Sequence, residues 1–174
     1  MTATLSQLAA DVHDLAVAHG SITIATAESC TGGNIAHQIT LNAGSSAYFV
    51  GGVVSYANHV KEQVLGVPAE VLVNPGAVSE PCALAMAEGV RRLLGADLAV
   101  ATTGIAGPAG GTARKPVGLV YIGLASASIT IVEKHVFPGS RAEVIEAATR
   151  RALDLLHDAL TAARSDLGRL PDVS

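Results

Sequence analysis

The stretch from Ile22 to Gly33 constrains the fold most. A short apolar run, ITIATA, empties into a polar turn, Glu28-Ser29-Cys30-Thr31-Gly32-Gly33, and then into a helix-like segment through Ile39. Strand, glycine-bearing turn and helix in succession form the unit from which α/β layers are built. Such turns recur at catalytic and phosphate sites because they expose backbone N–H groups beside the positive end of a helix. The remainder of the chain continues the alternation. Leu5, Leu8, Val12 and Leu15 share one helical face, with Thr4 and Gln7 at capping-box spacing and Gly20 at the stop. Phe49 to Tyr56 reads as a second strand. Asn58 is placed to cap a short helix ended by Gly66, and Ser79 to cap a longer one that carries Pro81 in its first turn and ends at Gly95. Asp97 to Thr103 is a strand feeding a second glycine-rich turn, Gly104 to Gly111. Val117 to Ala125 and Ile129 to Phe137 read as a hairpin around Ser126-Ala127-Ser128. A last helix starts at Ser140, with Glu143 completing a capping box, and continues to about Ala163.

This pattern predicts an α/β fold: a single-domain, layered α/β/α arrangement with a mixed central sheet, since the late hairpin adds antiparallel strands. The domain is expected over residues 1–164, with 165–174 a loose, polar tail. A length of 174 residues fits one domain. With 49% hydrophobic but only 3% aromatic residues and no Trp, the core must be filled by Val, Ile, Leu and Ala. The net charge of −4 and the lack of any basic run exclude a surface that tracks nucleic acid. Only 15% of residues are charged, leaving an Ala-, Gly-, Ser- and Thr-rich surface of the kind that accompanies a homo-oligomer. The two cysteines form no CxxC pair, which fits a reducing, cytoplasmic setting. The N-terminus lacks the pattern of a signal peptide, and no apolar stretch reaches the roughly 18 residues of a membrane span. The six histidines are scattered without ligand spacing, so neither a zinc site nor any other metal or cofactor is expected.

The chemistry falls on the two turns and on the segment between them. Neither turn has P-loop or Rossmann spacing. Either can offer N–H groups to a phosphate or to a developing oxyanion. Between them lies Tyr56-x4-Lys61. With Asn58 as cap, Lys61 occupies the third helical position, where the positive helix end and desolvation both lower an amine's pKa and prepare it as a base toward a serine hydroxyl. Candidate nucleophiles are Ser29, Cys30 and the Ser45-Ser46 pair. Without a His–Asp pairing, a Ser/Lys arrangement explains these residues better than a histidine triad.

Taken in order, TAESCTGG (26–33), Gly44-Ser45-Ser46, GGVVSYANHVK (51–61), GAVS (76–79), GIAGP (104–108) and KPVG (115–118) resemble the CinA C-terminal domain family over roughly residues 5 to 160. The resemblance implies a nicotinamide mononucleotide deamidase in a stand-alone form. Such an enzyme hydrolyses the carboxamide to nicotinic acid mononucleotide and ammonia through a metal-independent Ser/Lys dyad assisted by Tyr. By motif, the lysine is Lys61, the tyrosine Tyr56, and the serine Ser29 or Ser46. Thr31, Gly32 and Gly33, or Thr103 with Gly104 and Gly107, are expected to hold the ribose phosphate, with Arg141 as a further phosphate ligand. Ala109 stands in the GIAGPxGG turn where a polar residue is expected. The alternative is a non-catalytic nucleotide-binding regulatory module of the same fold.

Overall fold

A computed structural model describes residues 4–167. The chain forms α1 (Leu5–His19), β1 (Ile24–Glu28), α2 (Asn34–Thr40), β2 (Phe49–Val54), α3 (Asn58–Leu65), the single turn α4 (Ala69–Val71), α5 (Glu80–Leu94), β3 (Leu98–Gly104), β4 (Leu119–Ala125), β5 (Thr130–Val136) and α6 (Arg141–Leu167). The strands make one sheet of order β2-β1-β3-β4-β5. β2, β1 and β3 run parallel, whereas β3–β4 and β4–β5 are antiparallel. The expected mixed sheet is therefore present, and its antiparallel part is the hairpin closed by Ser126 N–H donating to the Ile129 carbonyl at 2.7 Å.

The anticipated helix signals act as expected. Thr4 Oγ1 accepts from Gln7 N while the Gln7 side chain accepts from Thr4 N. Ser79 accepts from Cys82 N. The Glu143 carboxylate accepts from Ser140 N at 2.7 Å. Gly20, Gly66 and Gly95 close their helices in the left-handed conformation. α3 differs: its N-cap is Ala57, with no side-chain cap, so Asn58 is the first helical residue and Lys61 the fourth. Two irregular pieces lie outside the periodic pattern, a 3-10 turn at Ser45–Ala47 and a π-type turn at Leu72–Gly76. α6 runs on to Leu167, past the expected boundary at 164; the rest of the expected tail lies outside the described residues.

Helices cover both faces of the sheet. Ile24, Val100, Val120 and Ile122 pack with Ile35 and Ile39 of α2, Val12 of α1 and Leu153 and Leu156 of α6. Ala25, Ala27, Ala99 and Ala101 pack on the other face with Leu65 of α3 and Met86 and Val90 of α5. Every residue of β1 is buried, as a parallel strand covered on both faces requires. The connections after β1 and β2 leave on opposite faces, α2 on one and α3 with α5 on the other. In an open parallel sheet this reversal leaves a crevice at the carboxyl ends of the strands, here beyond Glu28 of β1 and Gly104 of β3. Among the described residues no helix is long and apolar enough to cross a membrane.

Candidate active site

A cavity of about 300 Å³ occupies that crevice. Ser29, Cys30, Tyr56, Lys61, Gly107 and Arg141 are among the residues lining it. Two larger clefts elsewhere are mainly apolar and contain none of these groups. Ser29 follows directly on β1 and stays tied to the sheet, its N–H donating to the Thr102 carbonyl at 3.0 Å. Lys61 comes from the first turn of α3 and is 1% exposed. Its Nζ lies 3.0 Å from Ser29 Oγ. It also donates to the carbonyls of Ser55 at 2.6 Å and Tyr56 at 3.2 Å.

Two carbonyls and one hydroxyl fill the three hydrogen-bonding positions of the Lys61 nitrogen, and the hydroxyl is the one partner of the three able to donate to a neutral amine. Burial lowers the Lys61 pKa from the ordinary lysine value, and this desolvation is the dominant cause. The expected desolvation is therefore present, with Lys61 at the fourth helical position and not the third. Cys30, also facing the cavity, is held in the opposite state. Burial, reinforced by the charge of Glu28, pushes its thiol up to about 12, so it stays protonated and poorly nucleophilic at neutral pH. Of the two adjacent candidates, Ser29 is thus the group with a base beside it.

Tyr56 and Arg141 close the mouth. Arg141 donates to the Tyr56 hydroxyl at 2.8 Å and to the Gly107 carbonyl at 2.9 Å. It leads α6, so the last helix reaches across to the second turn. Thr103, Gly104 and Gly107 line the cavity, the Thr103 hydroxyl donating to the Ala77 carbonyl at 2.7 Å. Gly107 has φ +83°, and a Cβ there would meet Val117 Cγ1 at 2.5 Å. Among the described residues, the N–H groups of Ala106 and Gly107 form no hydrogen bond. Ala109 also lines the wall, so the departure from a polar residue falls within the site.

Four expected residues stay apart. Ser46 is exposed in the 3-10 turn that precedes β2. Because Ile24 pairs with Phe49, the start of β2 lies beside the start of β1, which puts Ser46 more than about 15 Å from Ser29 by strand rise alone. Thr31, Gly32 and Gly33 do not line the cavity. Thr31 Oγ1 donates to Glu28 Oε2 at 2.7 Å, and the Gly33 N–H donates to the same oxygen at 3.0 Å. Sequence reasoning gave Glu28, Asn58 and the Ala77-Val78 segment no part in the site, although the last two line the cavity.

This combination, a layered α/β domain with a Ser–Lys contact at the carboxyl end of its central strand, defines the class. The chain belongs to the family described as the CinA C-terminal domain, whose model matches residues 5–160. It is 53% identical over 139 residues to a CinA-like protein of Mycobacterium sp. (strain JLS), covering 79% of this chain and 33% of the relative. It is 51% identical over 142 residues to a CinA-like protein of Geobacter sulfurreducens, covering 82% of this chain and 34% of the relative. The chain thus spans about a third of the length of these curated relatives. Among solved structures, it resembles a competence/damage inducible protein from Agrobacterium tumefaciens, with TM-score 0.85 and 40% identity over 92% of this chain and 99% of that one. It also resembles competence damage-inducible protein A from Klebsiella pneumoniae, with TM-score 0.87 and 37% identity over 91% of this chain and 98% of that one.

Proposed function

We propose that the protein is a serine-type amidohydrolase acting on the carboxamide of nicotinamide mononucleotide. The observation that carries this reading is the buried Lys61 amine 3.0 Å from Ser29 Oγ, with its other two contacts both carbonyls. In this reading Lys61 takes the Ser29 proton as Oγ attacks the carboxamide carbon. The free N–H groups of Ala106 and Gly107 receive the oxyanion. Collapse breaks the C–N bond, and the nitrogen leaves as ammonia with a proton delivered through the Tyr56 hydroxyl or directly from Lys61. Lys61, neutral again, activates a water that releases nicotinic acid mononucleotide and restores Ser29. Arg141, the cation at the mouth, pairs with the phosphate. A volume of about 300 Å³ sits at the small end of ligand pockets, which suits a mononucleotide better than a dinucleotide.

The test is ammonia release from nicotinamide mononucleotide by purified protein. Ser29→Ala and Lys61→Met are each expected to lower turnover at least about a thousandfold. Ser46→Ala is expected to leave turnover unchanged. Thermal stabilisation by the nucleotide with no ammonia from the wild type would turn the reading toward the non-catalytic binding module.

A further inference from the structure

The first four N–H groups of a helix normally lack partners inside the helix, which makes its N-terminus a ready site for an external anion. At α2 none is left over. The N–H groups of Gly33, Ile35 and Ala36 donate to the Glu28 carboxylate at 3.0, 3.1 and 2.9 Å, and the N–H of Asn34 donates to the Thr31 carbonyl at 3.1 Å. The Thr31 hydroxyl supplies a fourth contact to the carboxylate, at 2.7 Å. Glu28 is 1% exposed, and all four of these partners are neutral donors. A carboxylate of this chain therefore fills the place where a substrate anion would otherwise bind.

Glu28 is the residue immediately before Ser29, and its carboxylate ties down the far side of the same turn. The segment Ser29 to Gly32 is held between the Glu28 backbone at one end and the Thr31 and Gly33 contacts at the other. The Glu28 carbonyl also accepts from Ser55 N–H at 2.8 Å, and the Ser55 carbonyl in turn accepts from Lys61 Nζ. One residue thus sets both partners of the contact: its side chain holds the nucleophile's turn, and its main chain holds the carbonyl that orients the base.

We infer that Glu28 is the positioning residue of the Ser29–Lys61 pair, acting through the α2 N-terminus and not on substrate. This rests on Ser29 being the nucleophile, so the test uses a probe that reports on Ser29 whatever the natural substrate. A fluorophosphonate is reacted with wild type, Glu28→Gln and Thr31→Val, recording both the fraction of protein labelled and the rate constant of labelling. Glutamine keeps the shape but offers one oxygen in place of two, and valine keeps the shape of threonine without the hydroxyl.

The expected result is an unchanged labelled fraction with a rate constant lower by about tenfold to a hundredfold, the scale of a small misplacement of reacting groups. A residue serving only stability would lower the fraction and leave the rate constant of the folded protein at the wild-type value. That outcome overturns the inference. Thr31→Val, the milder change, decides the matter if Glu28→Gln does not fold. Failure of the probe to label Ser29 in the wild type would overturn the proposed mechanism and this inference with it. Wild-type labelling with variants at the same rate overturns the inference alone.

Discussion

The two glycine-rich turns look alike in sequence and use their donors differently. The first, from Glu28 to Gly33, is closed: its helix N-terminus is filled by the Glu28 carboxylate and its threonine hydroxyl is spent on Glu28 and on Thr102, 2.7 Å away. The second, from Gly104 to Gly111, is open: among the described residues the N–H groups of Ala106 and Gly107 form no hydrogen bond, and both residues line a cavity that Arg141 also lines. The first turn spends the donors of its helix N-terminus on its own carboxylate, while its Cys30 and Thr31 N–H groups, like those of Ala106 and Gly107, form no hydrogen bond among the described residues. Glycine content alone does not separate the two; what separates them is whether a buried carboxylate precedes the turn.

The sharpest way to break this contrast is a pair of glycine substitutions. Gly107→Ala places a Cβ 2.5 Å from Val117 Cγ1 at φ +83° and should cost about 3 kcal/mol in denaturant unfolding while raising KM. Gly32→Ala meets no atom within 4 Å at φ +61° and should cost only about 1 kcal/mol, with KM unchanged. Comparable losses in both would show that the second turn is not specially built. Next in size is Arg141→Ala, expected to raise KM about tenfold or more with little change in kcat, since it removes a charged partner at the mouth and leaves the Ser29–Lys61 contact in place. A fall in kcat at constant KM would instead assign Arg141 to the chemistry through Tyr56.

The smallest expected effect is on stability. Because burial lowers the Lys61 pKa, the unfolded chain binds the extra proton between the folded value and the ordinary 10.5, and stability from this group rises with pH across that window. Denaturation of wild type and Lys61→Met at several pH values should therefore show the difference moving in favour of the wild type as pH increases. A constant difference would mean that Lys61 is not desolvated.

The elements were largely legible in the sequence because their ends are written in local chemistry: Thr4 with Gln7, Ser79, Ser140 with Glu143, and glycines at three helix ends. The turn at Leu72–Gly76 was not, since it has no hydrophobic period to read. The site was legible as a set of motifs but not as a geometry. Ser29 and Ser46 both sit in family segments, and only the pairing of Ile24 with Phe49 shows that they lie at opposite ends of the sheet. Thr31 to Gly33 fit a phosphate turn until their donors are traced to Glu28, whose role stays hidden because most of its partners are backbone groups that carry no residue signature. The tuning of Lys61 was anticipated in direction and in part in cause, since desolvation was expected beside the helix-end effect, but the depth of its burial depends on tertiary packing.

The most direct measurement is the pH dependence of kcat/KM for nicotinamide mononucleotide. The account predicts a rate that rises with pH to a plateau, with its midpoint below the ordinary lysine value of 10.5, because only neutral Lys61 can take the Ser29 proton. A rate that does not change over that range, or Lys61→Met protein turning over at the wild-type rate, would contradict it.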